Sequence, residues 1–180
     1  MKQDRERLKQ ILRTLSILKG DFTLSSGKKS AYYIDARLTT LDAEGVNIIA
    51  EIFLDEIARD EDIIKVGGPT LGADPIIGAL LSASWHRSIP YKGFIVRKQT
   101  KEHGTGKLIE GHLANKDNVV IVEDVITSGG SVLRAIKAVE DTGASVKKVL
   151  CVVDREEGAR EKFADMGYEF FSIFNISELL

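Results

Sequence analysis

The sequence is almost free of cysteine: one thiol, Cys151, stands inside the apolar run KVLCVVD. One thiol excludes a disulfide within the chain and fits a reducing compartment, the cytoplasm. Among apolar neighbours it reads as a small buried hydrophobe. An excess of charge is also lacking. A formal net charge of -2 and a pI near 6.0 argue against a nucleic-acid binder, which carries a basic surplus. Any anion site must therefore be local. No apolar run reaches the roughly 18 residues that a membrane span requires. The N-terminal stretch MKQDRERLKQ has no apolar segment behind it, so no signal peptide is expected. The sequence offers no internal repeat, low-complexity tract, interdomain linker, zinc-ligand spacing or serine triad.

What is present suits one globular domain over residues 1–180. Apolar residues make up 43% and charged residues 29%, too apolar and too balanced in charge for disorder. Leu8, Ile11, Leu12, Leu15 and Leu18 recur at helical spacing, which predicts a helix over 5–18 stopped by Gly20. FTLSS and SAYYIDA predict two short strands joined by a turn. Asp42 caps a helix to about Arg59, with Val46, Ile49, Phe53 and Ile57 on one face. Beyond that point, short apolar runs alternate with helical stretches. The runs are IIKVGG (63–68), YKGFIV (91–96), VVIV (119–122), VKKVLCVV (146–153) and FFSIF (170–174). Helices are expected over 73–85, 131–142 and 158–166, with Trp85 and His86 packing or capping at the end of the first.

Apolar runs of this length alternating with helices predict an α/β fold, a parallel sheet covered on both faces. Open sheets of that kind bind ligands at the carboxyl ends of their strands, where the strand order switches. The segments that follow the runs are GGPTLGADP, RKQTKEHGTGK, EDVITSGGS and DREEG, all polar or glycine-rich.

The richest is VVIVEDVITSGGS, residues 119–131. Four apolar residues bury a strand. Glu123 and Asp124 follow, then Val125, Ile126, and the small residues Thr127, Ser128, Gly129, Gly130 and Ser131 leading into a helix. Small residues let successive N–H groups converge on an anion, and the helix N-terminus adds roughly half a positive charge. Paired carboxylates beside such a cradle suit vicinal sugar hydroxyls and a hydrated magnesium ion. The combination describes a phosphorylated ribose. Two rival phosphate motifs fail. HGTGKLI has Leu108 where a Walker A loop needs serine or threonine, and no GxGxxG follows the first strand.

The thirteen residues resemble the phosphoribosyl pyrophosphate (PRPP) signature of the type I phosphoribosyltransferases. RKQTKEHGTGKLIEG (97–111), with four cations, two acids and one histidine, contains RKxxKxHG. That motif resembles the mobile catalytic loop of orotate phosphoribosyltransferases. FTLSSGKKSAYYIDAR (22–37) is similar to the same family's F-x-L-x-SGxxSxYY segment.

The resemblance implies a five-stranded parallel sheet flanked by helices, with a small N-terminal hood over about 1–40 and a mobile loop over about 97–111. It implies PRPP binding by Arg97, Lys98, Lys101, His103 and residues Glu123 to Ser131. Lys101, His103 and Asp124 would be catalytic, with cations opposing the charge that grows on departing pyrophosphate. Thr127, Arg155, Tyr33 and Ile34 would meet orotate, Arg155 by a two-pronged bond to its carboxylate. The metal would be Mg2+, held through PRPP and water rather than by a protein cage. A homodimer exchanging the loop between subunits is implied as well.

Two departures from the family pattern are visible. Ser25 stands where some members carry a substrate-reaching lysine, a role open to Lys28 or Lys29. No lysine occupies Leu71 or Gly72, which leaves Thr70 and backbone amides for pyrophosphate. The implied reaction is orotate plus PRPP giving orotidine 5′-monophosphate and pyrophosphate, in pyrimidine biosynthesis. Transfer to another base such as uracil or a purine, and non-catalytic PRPP sensing, remain open alternatives.

Overall fold

Six strands form the central sheet, and their order explains where a ligand can sit. The computed structural model describes residues 2–23, 29–99 and 108–180. The sheet strands are β3 (Lys65–Pro69), β4 (Lys92–Val96), β5 (Ile109–Gly111), β6 (Asn118–Ile126), β7 (Ser145–Asp154) and β8 (Glu169–Asn175), in the order β5-β4-β3-β6-β7-β8. Five of them run parallel, as the alternating runs predict. The three-residue β5 pairs antiparallel with β4 at the edge and had no signal in the sequence pattern. It places Ile109 to Gly111 in the sheet, so the excursion between strands is shorter than 97–111.

The buried strands read with period two. On β6, Val120 and Val122 pack toward helices α3 (Ala43–Ile57) and α4 (Ala73–His86), together with Ile49, Phe53, Ile76 and Leu80. Val119 and Ile121 point the other way, toward α5 (Gly130–Glu140) and α6 (Ala159–Asp165), with Val132, Ile136, Val139 and Phe163. Alternate residues of one strand thus fill two cores, which is why the run lacks polar alternation. Cys151 is fully buried in the second core. Lys148 is buried in the neighbouring strand, where its ammonium meets Glu56 and Glu169 at 3.0 Å each.

The N-terminal helix ends earlier than its periodicity suggests. Helix α1 (Lys2–Ile11) passes into a π-helical turn (Leu12–Ser16), and Ile17 already begins β1 (Ile17–Thr23). Ser16 explains the exit. Its hydroxyl lies 2.7 Å from the Thr39 hydroxyl, and its carbonyl accepts the Asp35 N–H at 2.9 Å. Tertiary bonds therefore capture the last turn. Leu18 falls in the strand, and both Leu15 and Leu18 are exposed rather than buried. Strand β1 pairs antiparallel with β2 (Lys29–Ile34), forming the small hood before α2 (Arg37–Thr40). Asp42 caps α3 by accepting the Gly45 N–H at 2.8 Å. A short α7 (Ile176–Leu179) closes the chain. Trp85 does not pack: it is 71% exposed at the end of α4, and His86 is exposed beside it.

Candidate active site

Strand order reverses between β3 and β6: the chain moves outward from β3 to β4, then returns to the other side of β3. The loops leaving these two strands must diverge, and a crevice opens between them. A cavity of about 570 Å³ occupies this point. It is lined from the hood by Tyr33, Ile34, Asp35 and Arg37, and from the β3 loop by Pro69 to Gly72. Arg97, Lys98 and Leu108 line it from beyond β4, Glu123 to Val125 from β6, and Ser131 and Arg134 from α5.

The β3 loop lies directly on the paired acids. A Cβ built at Gly72 would overlap both Asp124 Oδ1 and Glu123 Oε1, so position 72 accepts only glycine in this geometry. That accounts for one of the missing lysines. Leu71 is 60% exposed and faces no such barrier. The Thr70 hydroxyl is committed, donating to Asp74 Oδ2 at 2.7 Å, while Asp74 Oδ1 is buried with no partner among the described residues. Backbone amides are thus the donors this loop has left for an anion. The Thr70–Leu71 peptide is cis.

Glu123 is buried, and Asp124 is partly open to the cavity. Glu123 Oε1 accepts the Asp124 N–H at 3.1 Å, and Asp124 Oδ1 accepts the Val125 N–H at 2.7 Å. Burial, then the adjacent Asp124 charge, pushes the Glu123 carboxyl up to about 9, with Asp74 adding to the effect. Burial therefore favours the protonated form of Glu123 beside Asp124. One can donate to a hydroxyl oxygen while the other accepts from a hydroxyl.

The small-residue loop is formed as its composition demands. Gly129 takes φ +79 and stands at the N-cap of α5, with Leu133 donating to its carbonyl at 2.9 Å. Thr127 and Ser128 are exposed, and the Ser128 carbonyl is held by Lys162 Nζ at 2.9 Å. The first-turn amides of α5 have no i−4 acceptors and point to the loop side. Ile126 differs from its neighbours: its side chain belongs to the second core, and its carbonyl accepts the Arg155 N–H. It can offer a ligand only backbone.

Beyond β4 the chain is pinned at its stem. The Arg97 N–H donates to the Leu108 carbonyl at 2.8 Å, and its guanidinium lies 3.5 Å from Glu110. Lys101 and His103 lie outside the described residues, as do Ser25 and Lys28. Lys29 is described and exposed.

The described geometry brings Tyr33, Ile34, Arg97, Lys98, Glu123, Asp124, Val125 and Ser131 to one cavity. It does not bring Ile126, Thr127, Ser128, Gly129 or Gly130 to that wall, nor Arg155. The guanidinium sits beneath the hood instead, 5.5 Å from the Tyr32 ring, with only 10% of the side chain exposed. Sequence reasoning passed over Asp35, Arg37, Asp74 and Arg134. Asp35 and Arg37 lie in the quoted YYIDAR segment and Asp74 in GGPTLGADP, whereas Arg134, inside α5, had no signal. Arg37 is oriented by two bonds to Asp35, at 2.8 and 2.9 Å.

A model of the phosphoribosyl transferase domain matches residues 41–174, well over half the chain. An orotate phosphoribosyltransferase of Rhodopseudomonas palustris (strain TIE-1) is 46% identical over 181 residues, spanning 98% of this chain and 96% of that one. The chain belongs to the orotate phosphoribosyltransferase family. Other members agree in sequence and in shape. The enzyme of Tropheryma whipplei (strain Twist) is 42% identical over 178 residues, covering 98% of this chain and 82% of its own. The crystal structure of the Mycobacterium tuberculosis H37Rv orotate phosphoribosyltransferase in complex with PRPP superposes with a TM-score of 0.83. Its identity is 38%, with 98% of both chains covered. The matched domain begins after the hood, so the family's common core here is the sheet and its helices.

Proposed function

We infer that this chain is an orotate phosphoribosyltransferase. It transfers the 5-phosphoribosyl group of PRPP to orotate, giving orotidine 5′-monophosphate and pyrophosphate in pyrimidine biosynthesis. The carrying observation is the switch-point cavity. There Glu123, its carboxyl pushed up by burial, and Asp124 stand together between a glycine-tight β3 loop and the N-terminus of α5.

In this reading the amides and hydroxyls of Thr127 to Ser131 hold the 5′-phosphate, with Val125 and Ile126 contributing backbone. Glu123 and Asp124 grip the ribose hydroxyls and orient C1 for in-line displacement. Asp124 also faces positive charge developing on the ribosyl ring. Arg97 and Lys98, with Lys101 and His103 from the following residues, oppose the charge on departing pyrophosphate. Tyr33 and Ile34 cover the orotate ring, Thr127 meets its edge, and Arg155 takes its carboxylate. The chemistry is mostly placement and electrostatics.

A bound Mg2+ would neutralise pyrophosphate charge in this scheme. The donors fit a hydrated ion: Glu123 and Asp124 offer two carboxyls on the cavity, and no group of three or more ligating side chains among the described residues forms a cage of its own. Asp124 and Glu123 would reach it through water, with pyrophosphate oxygens as its main ligands.

Residues 1–180 act as one domain in this proposal, with residues 1–40 as the hood. The working form is a homodimer whose subunits lend each other the loop after β4. No helix among the described residues is long and apolar enough to cross a membrane. Action in the cytoplasm, without nucleic-acid partners, completes the reading.

Turnover of a base panel with PRPP and magnesium tests it. Orotate should react fastest, with pyrophosphate released in equal amount. Uracil or adenine reacting as fast would overturn the base assignment. PRPP binding without any pyrophosphate release would indicate a sensor.

A further inference from the structure

Arg155 carries a conflict that its surroundings do not resolve. Its Nε is buried and has no hydrogen-bond partner among the described residues, although a buried donor left unpaired is costly. Its Nη2 is engaged by Glu157 Oε1 at 3.1 Å. Nε and Nη2 form one edge of the guanidinium, the edge that grips a carboxylate with two parallel bonds. Glu157 therefore meets one half of a two-pronged edge, and no described residue pairs with the other half.

The local backbone explains why no other acid completes it. Asp154 Oδ1 accepts the Glu156 N–H at 2.9 Å, and Glu156 turns at φ +57. That turn sends the Glu156 carboxylate to the Ser177 N–H at 3.1 Å, while Asp154 Oδ2 lies 3.4 Å from Arg160. Of the three acids in DREEG, Glu157 alone faces Arg155. It is 46% exposed, so it can swing away at small cost. The guanidinium lies 5.5 Å from the ring of Tyr32, the hood residue next to Tyr33 of the proposed base site.

We propose that Glu157 is a resident stand-in for the carboxylate of the incoming base and sets how tightly that base is held. This rests on the reading of Arg155 as the base-carboxylate site. Before a base arrives, Glu157 compensates the charge through one ion-pair contact. An arriving carboxylate takes both Nε and Nη2, and Glu157 moves into solvent. Orotate must displace an anion to bind, and a base without a carboxylate cannot supply the exchange. Glu157 is a positioning residue in this scheme.

Steady-state kinetics on Glu157→Gln, Arg155→Ala and the double variant, with both substrates varied, test the proposal. Removing the competing charge should lower the KM for orotate about threefold, the scale of a half-exposed ion pair. The kcat and the KM for PRPP should not move. Arg155→Ala should raise the orotate KM, and adding Glu157→Gln to it should change nothing further. If Arg155→Ala is impaired but Glu157→Gln leaves the orotate KM unchanged or raises it, the role of Glu157 is overturned. If Arg155→Ala binds orotate normally, the assignment of Arg155 fails first and the stand-in falls with it.

Discussion

Gly72 and Asp124 meet across the switch point so closely that no side chain fits between them. The β3 loop and the paired acids are thus one unit, not two motifs that share a cavity. Gly72→Ala must push the loop away from the acids or rotate the acids out of place. A tenfold or greater loss in kcat/KM for PRPP is expected, since small misplacement of reacting groups is costly in rate. Near-wild-type kinetics would show that the loop relaxes freely.

The raised Glu123 carboxyl makes stability fall with pH. Its ordinary value is 4.5 and its folded value about 9. Between these values the folded chain keeps a proton that the unfolded chain has lost, so rising pH favours unfolding across that window. Unliganded Glu123→Gln should therefore melt higher than the parent at pH 8, and the gap should close near pH 4. Thermal melts across pH 4 to 9 measure this. A gap that is constant with pH would place the Glu123 value near normal.

Gly129 takes a left-handed conformation, and a Cβ there would come 2.9 Å from the Phe163 ring. Gly129→Ala should cost about 1–2 kcal/mol from the backbone alone. It should also raise the KM for PRPP by disturbing the start of α5. Denaturant melts read the first effect and initial rates the second. A stable variant with unaltered PRPP affinity would show that the cradle tolerates a shifted helix.

Lys148 ties α3 to β7 and β8 from a buried position. Lys148→Met leaves Glu56 buried with Arg59 as its remaining cation, 2.7 Å away. Stranding a buried charge outright costs about 3–5 kcal/mol, and Arg59 should reduce that to about 2 kcal/mol. Adding Glu56→Leu to Lys148→Met should recover most of the loss. Urea unfolding of the two variants decides the matter; an unchanged midpoint for the single variant would mean the pair contributes nothing.

The sheet and the cradle were legible because their residues are dictated locally. Val119 to Val122 must be apolar on both faces, and Thr127 to Ser131 must be small for amides to converge. What the sequence concealed depends on distant partners. Ser16 leaves the helix because Asp35 and Thr39 hold it, and neither leaves a trace in the spacing of Leu8, Ile11 and Leu12. Lys148 looks like an ordinary polar residue in VKKVLCVV until Glu56, 92 positions away, closes on it. Arg155 was correctly placed at a strand end, but that position alone did not reveal that Tyr32 and Glu157 would take the guanidinium away from the cavity wall. Ile109 to Gly111 are too few for periodicity to register as a strand.

The hydrogen bond from Asp35 N–H to Ser16 carbonyl joins the two ends of everything from Ile17 to Ile34. Strands β1 and β2 thus leave the main body and return to it at adjacent points, with Ile34 anchored in the first core. A segment closed at its base in this manner can be exchanged as a cassette. In the proposed scheme, evolution or an engineer could exchange the hood that meets the base while β3 and β6 keep the sugar-phosphate site.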